Sequence, residues 1–194
     1  MHIETPRLLL RDLVQADAGP LASIWADPEV TRFMGGPRDG AQVRASLVED
    51  ASTPKQPDID LRPVIEKATG AVIGDCGLLE KDVDGKREIE LVYVFAADVW
   101  GRGYATEMAG AVKRYAFTEL GLERLIALID PENASSERVA IRIGMRYERE
   151  TLRPGGKLMK VYVASKDEDA WAVGARGALS ERRRGRTIDA PGFK

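Results

Sequence analysis

An α+β fold, with helices packed on both faces of a mostly antiparallel sheet, is what this sequence predicts. Three observations carry that expectation. Strand-like segments joined by short turns occupy the middle of the chain, helical periodicity flanks them on both sides, and two more strand-like segments close the series. A length of 194 residues suits one domain with one core, and 44% hydrophobic with 31% charged residues is a globular balance.

Taken in order, residues 7–13 form a short apolar run with charges at its sides and read as the first strand. Asp17 is suited to cap a helix reaching about Ala26, with Leu21, Ile24 and Trp25 on one face, and Asp27-Pro28 ends it. After the loop Gly35-Gly36-Pro37, residues 39–50 read as a second helix burying Val43 and Leu47, and residues 52–58, with two prolines, as a surface connection. Strands are expected over 59–67, 71–80 and 88–95, with turns at Ala68-Thr69-Gly70 and Asp84-Gly85. Helical spacing returns over 105–120, where Ala105, Met108, Ala109, Val112 and Ala116 form a stripe, and Gly121 stops it. Residues 124–130 are apolar in the middle, as in a central strand. Pro131 and Asn133 open a helix to Ile143, and strands over 146–152 and 158–165 flank Pro154-Gly155-Gly156. That makes about seven strands. The domain is expected to span residues 1–170, leaving 171–194, with the run Arg182-Arg183-Arg184-Gly185-Arg186, as a basic tail that is disordered or packs on a neighbour.

Composition removes several function classes. A net charge of -2 lacks the basic excess of a DNA binder. No apolar run approaches the roughly 20 residues that cross a bilayer, and Met1-His2-Ile3-Glu4-Thr5-Pro6 has no secretory pattern. With Cys76 as the one cysteine, an intrachain disulfide is impossible, and a reducing cytoplasm is expected. The one histidine, His2, is a poor base for a Ser-His-Asp or Cys-His arrangement, and Cys/His ligands are too few for a metal site of the usual zinc type. Carboxylates, tyrosines, serines and backbone amides must carry any catalysis.

The segment Trp100-Gly101-Arg102-Gly103-Tyr104-Ala105-Thr106 lies between an expected strand and an expected helix. Its glycines let backbone amides face a ligand unobstructed, and the helix that follows offers unpaired first-turn amides at its positive end. Together these make a pyrophosphate site. A P-loop needs Gly-Lys-Ser/Thr where this chain has Gly103-Tyr104-Ala105, and a dinucleotide fingerprint needs a parallel β-unit and a third small residue where Thr106 stands.

With these pieces the chain resembles the GCN5-related N-acetyltransferase (GNAT) superfamily, in its ribosomal-protein-alanine/serine acetyltransferase-like branch. The resemblance rests on Glu4-Thr5-Pro6-Arg7-Leu8-Leu9-Leu10-Arg11, on Trp100 to Glu107, and on Asp130-Pro131-Glu132-Asn133-Ala134-Ser135-Ser136 followed by Gly144-Met145. Trp100 departs from the general Gln/Arg start of the pyrophosphate motif and favours the branch. The resemblance implies the GNAT fold, in which the strand before the loop splays from its neighbour after a bulge. Acyl-CoA then lies in the gap like an added strand, with acetyl-CoA as co-substrate, no metal, and an amine as acceptor, either a protein N-terminus or a small molecule. It puts the backbone groups of Val94 and Phe95 beside the pantetheine and thioester. The amides of Gly101, Arg102, Gly103, Ala105 and Thr106, in the segment shared with Trp100 and Tyr104, would hold the pyrophosphate. Asn133 would contact the cofactor and is equally suited to cap its helix. Ser136 stands where the branch has a candidate general acid for the leaving thiolate.

An attacking ammonium must first lose a proton, and Glu90, on the splaying strand, is the leading candidate base, with Glu88 on the same face. Trp25, Phe33 and Met34 fall where relatives shape the acceptor pocket. Tyr147 is expected to pack, and Cys76 to be a core residue. The reading is an acetyl-CoA-dependent N-acetyltransferase acting in a ternary complex, with a homodimer compatible. A non-catalytic acyl-CoA sensor, and a nucleic-acid contact through the arginine run, are the rivals.

Overall fold

The computed structural model describes residues 1–52 and 57–167. The expected basic tail, and the last residues of the expected domain, lie outside that range. The sheet has eight strands, β1 (Ile3–Glu4), β2 (Leu8–Leu10), β3 (Leu61–Glu66), β4 (Val72–Val83), β5 (Lys86–Phe95), β6 (Arg124–Ile129), β7 (Arg146–Arg153) and β8 (Lys157–Ser165), in the order β1-β2-β3-β4-β5-β6-β8-β7. Every neighbouring pair is antiparallel except β5–β6. Among the described residues four α-helices, α1 (Ala18–Ala26), α2 (Gly40–Ala51), α3 (Tyr104–Thr118) and α4 (Ala134–Arg142), pack on it.

Period-two alternation along β5 divides the core. Leu91 and Phe95 join Met108, Ala109, Val112 and Ala116 of α3 and Ala140 and Ile143 of the α4 region on one face. Val94 packs with Leu13, Leu21 and Ile24, and with Trp25, Met34 and Leu47, on the α1–α2 face. The α3 stripe is as expected from spacing, and Cys76 is fully buried as a core residue.

Two expectations about local chemistry change. Asp17 stands at the start of α1, but its carboxylate turns back, accepting from the Val14 amide at 2.9 Å and pairing with Arg11 at 2.7 Å rather than capping the helix. The turn between β4 and β5 falls at Asp84-Gly85 as expected, with φ of 54° and 74°, but the strands are longer than expected, since the hairpin closes in those two residues and β4 and β5 pair right up to it.

The split in the sheet positions the site. β5 and β6 share one bridge, Glu90↔Ile126, while β5 runs on beside β4 to Phe95. The closed end is fastened by Arg124, which reaches Glu88 of β5 at 3.1 Å and Glu148 of β7 at 2.8 Å. Glu88 is thereby spoken for in an ion network.

Candidate active site

The bulge expected on the splaying strand lies elsewhere. The β4–β5 register is unbroken from Val83↔Lys86 to Gly74↔Phe95, and register shifts fall between β3 and β4, at Val64/Ile65, and between β7 and β8, at Tyr147/Arg149. The approach of β5 to β4 is close at Gly74. A Cβ on Gly74 would stand 2.1 Å from the Val94 carbonyl oxygen, so no side chain fits.

Backbone alternation then decides which groups look into the gap. Ala96 N–H donates to the Ile73 carbonyl at 2.9 Å. Successive residues of an antiparallel strand present their backbone to alternate sides. Val94 therefore turns its backbone to β4, and Tyr93 and Phe95 turn theirs toward β6, beyond the last β5–β6 bridge. The expectation for Val94 therefore changes: of the two backbones expected beside the cofactor only that of Phe95 faces the split, while Val94 is paired with β4 and buries its side chain on the α1 face.

The loop at the open end is held from three sides. The Trp100 indole N–H donates to the Phe95 carbonyl at 2.8 Å, tying the loop to the end of β5 with its ring half exposed. Tyr104 donates its hydroxyl to Glu66 at 2.5 Å and lies under the Arg7 guanidinium at 4.6 Å, so its side chain is structural. Arg7 in turn pairs with Glu107 at 2.6 Å and donates to the Arg102 carbonyl at 2.8 Å, and Thr5 donates to Glu107 at 2.7 Å. These contacts hold Glu107 below the usual carboxylate range against its burial. Arg102 has an exposed side chain that donates to the Asp98 carbonyl at 3.1 Å.

Gly101 and Gly103 adopt φ of 76° and 80°, the left-handed conformation that favours glycine. Gly103 is the N-cap of α3 and supplies no side-chain cap. The amides of Tyr104, Ala105 and Thr106 have no intrahelical acceptor by helix geometry, and they gather beside the loop at the positive helix end. This constellation fits a pyrophosphate.

Across the gap, Asn133 Oδ1 accepts from the Ser136 amide at 3.0 Å, so Asn133 does cap α4. The Tyr93 hydroxyl donates to the Ser136 carbonyl at 3.0 Å, linking β5 to the start of α4, and burial pushes its phenol up. Glu90 lies on the opposite face from Tyr93 and accepts from the Leu128 amide of β6 at 3.4 Å. Burial raises its carboxyl above the ordinary value, against the pull of Lys81, the Leu128 amide and Arg153. Glu90 and Ser136 thus flank the split from different faces rather than meeting.

Of the acceptor-side candidates, Trp25 and Met34 pack in the Val94 cluster. Phe33 sits on the loop after α1, where its carbonyl accepts from Lys157 at 2.7 Å while Lys157 pairs with Asp130 at 3.0 Å. Tyr147 packs edge-on against Tyr162, with centroids 5.9 Å apart. Sequence reasoning missed Tyr93, the Thr5–Arg7–Glu107 clamp and, above all, Asp75. That aspartate interrupts the apolar run from Val72 to Leu78, and a lone carboxylate there was the available signal.

A split sheet whose open end meets a glycine loop and a helix N-terminus defines an acyl-CoA-dependent transferase fold. The family model for the acetyltransferase (GNAT) domain matches residues 7–146, and the chain belongs to that family. It is an acetyl-CoA-dependent acetyltransferase. The chain is 35% identical over 159 residues to the uncharacterized protein YkkB of Bacillus subtilis (strain 168), covering 81% of this chain and 92% of that one. It is 33% identical over 168 residues to the uncharacterized N-acetyltransferase p20 of Bacillus licheniformis, covering 83% and 93%. Among solved structures, a GNAT-family acetyltransferase from Bacillus anthracis superposes with a TM-score of 0.72 at 26% identity, covering 86% and 99%. Among the described residues no helix is long and apolar enough to cross a membrane, and no cluster of side chains is arranged to hold a metal.

Proposed function

We propose that the protein moves an acetyl group from acetyl-CoA to a primary amine, of a protein N-terminus or a small molecule, by direct attack within a ternary complex. The observation that supports this most is the junction at the open end of the split, where β5, past its last bridge to β6, leads into the glycine loop and the first amides of α3. The amides of Gly101, Arg102, Gly103, Ala105 and Thr106 would hold the pyrophosphate. When bound, acetyl-CoA supplies an acyl group already activated as a thioester. Phe95 backbone, the Val94 side chain and Asn133 would align it, and the Ser136 hydroxyl would donate toward the departing sulfur. On the other face Glu90 would take the proton that an attacking ammonium must lose, while Trp25, Phe33 and Met34 shape the acceptor side. Positioning of the two reactants supplies much of the rate.

The test mixes protein, acetyl-CoA and a broad panel of amines and follows free thiol. Amine-dependent release is expected. Tight acetyl-CoA binding with no release across the panel would leave a binding module and overturn the transfer. Glu90→Gln is expected to lower kcat by about 10²-fold. It should also remove the acid limb of the kcat–pH profile, which the raised carboxyl sets above the usual carboxylate range. An unchanged limb would remove Glu90 from the role.

A further inference from the structure

Between α1, α2, β3 and β4, on the Val94 face of the sheet, lies a cavity of about 360 Å³, of the size that encloses a small organic ligand. Leu13, Leu21, Trp25 and Leu47 give it an apolar wall, and Asp60 and Asp75 stand in its lining. Asp75 is 4% exposed. Its Oδ2 accepts from the Trp25 indole N–H at 2.8 Å, while among the described residues its Oδ1, itself buried, meets no donor. Buried carboxylate oxygens are nearly always hydrogen-bonded, and one without a partner costs stability. The nearby cation does not serve it. Arg62 of β3 spends its guanidinium on Asp12 at 3.2 Å, Asp60 at 3.3 Å and the carbonyls of Leu61 and Pro57. Asp50 of α2 adds a further negative charge to the lining.

The cavity is next to the chemistry. Asp75 is the β4 partner of Val94 in the ladder, and directly opposed residues point to the same face about 5 Å apart. One strand separates the orphaned oxygen from the split.

We propose that Asp75 determines acceptor specificity: the cavity takes the apolar body of a small acceptor that carries, besides the amine to be acetylated, a second cationic ammonium group, and this second ammonium pairs with Asp75 Oδ1. This rests on the acetyl-transfer reading, and it selects, among amine acceptors, small molecules whose apolar part fits the Leu13–Leu21–Leu47 wall and whose charge answers the aspartates. Neutral isosteres of the same shape bind more weakly because a hydroxyl can donate to the carboxylate but leaves its buried charge uncompensated.

The experiment titrates phenethylamine and isoamylamine, and their neutral counterparts phenethyl alcohol and isoamyl alcohol, into the full chain by calorimetry. Wild type, Asp75→Asn and Leu47→Lys are compared, with acetyl-CoA titrated into each. Saturable binding of at least one amine is expected, at least tenfold tighter than its alcohol. Asp75→Asn should reduce that binding at least tenfold, and Leu47→Lys, which puts a rival cation in the cavity wall, should do the same. Acetyl-CoA affinity should stay within twofold of wild type in both variants. Amines that fail to bind wild type, bind no better than alcohols, or bind both variants as they bind wild type overturn the proposal. Failure of acetyl-CoA to bind wild type would instead sink the transfer reading, with the amine arm still deciding the cavity.

Discussion

Gly103→Asp is expected to weaken acetyl-CoA binding at least about 100-fold while leaving the chain folded. A like-charge contact of about 4 Å at the protein surface costs on the order of 4 kcal/mol, enough for that loss with some solvent relief. The folding cost is small by comparison. Position 103 has φ of 80°, a conformation aspartate adopts more readily than most residues, for roughly 1 kcal/mol. A Cβ there meets nothing nearer than the Arg7 guanidinium at 3.5 Å, already engaged by Glu107. Calorimetry with acetyl-CoA and a thermal melt read the two effects separately. Wild-type affinity in a folded variant would mean that the pyrophosphate is not at this loop.

Asp75→Asn should make the protein more stable at alkaline pH while impairing its acceptor side. Burial, only partly offset by the Trp25 hydrogen bond, raises the Asp75 carboxyl to about 7 from an ordinary 3.8. The folded state therefore holds the proton more tightly than the unfolded chain does. Its contribution to stability is fully present below about pH 4 and is lost as pH climbs through about 7. At pH 8 the wild type carries a buried charge that costs on the order of 3 kcal/mol, and the amide variant does not. The expected gain in Tm is of order 10 °C at pH 8 and close to nothing at pH 4. A variant whose Tm advantage is the same at both pH values would show that ionisation of Asp75 is not the cause. Stability given up at a buried group that faces a cavity is the usual mark of function rather than packing.

The parts of this molecule that were legible in the sequence are those written locally. Helices α3 and α4 announce themselves through period and caps, and the glycine loop through Gly101 and Gly103 between a strand and a helix. Strand lengths were less legible. Lys81, Asp82, Lys86 and Arg87 gave β4 and β5 a solvated look where they form the exposed end of a hairpin. Strand β1 has two residues, Ile3 and Glu4, too few to show any period, and it exists because it pairs with Leu10 and Leu9. The insertion of β8 between β6 and β7 is a matter of tertiary pairing with no local signature. The same distinction separates the two halves of the candidate site. The proposed anion site is a property of one short segment, whereas the proposed acceptor cavity depends on Trp25 meeting Asp75 fifty residues away in sequence. Glu88 illustrates the converse. It shares a face with Glu90, yet Arg124, 36 residues on, holds it in place and leaves Glu90 as the carboxyl at the split.

The single β5–β6 bridge also bears on solubility. An ordinary open sheet has two edges to guard, but this one has four, since β5 and β6 each expose an inner rim past Glu90 and Ile126. Rims of this kind invite foreign strands. Here the two rims face one another, and each ends in a side-chain contact of its own: the Trp100 indole covers the Phe95 carbonyl at the end of β5, and Lys157 pairs with Asp130 just past β6, so neither rim ends as bare backbone.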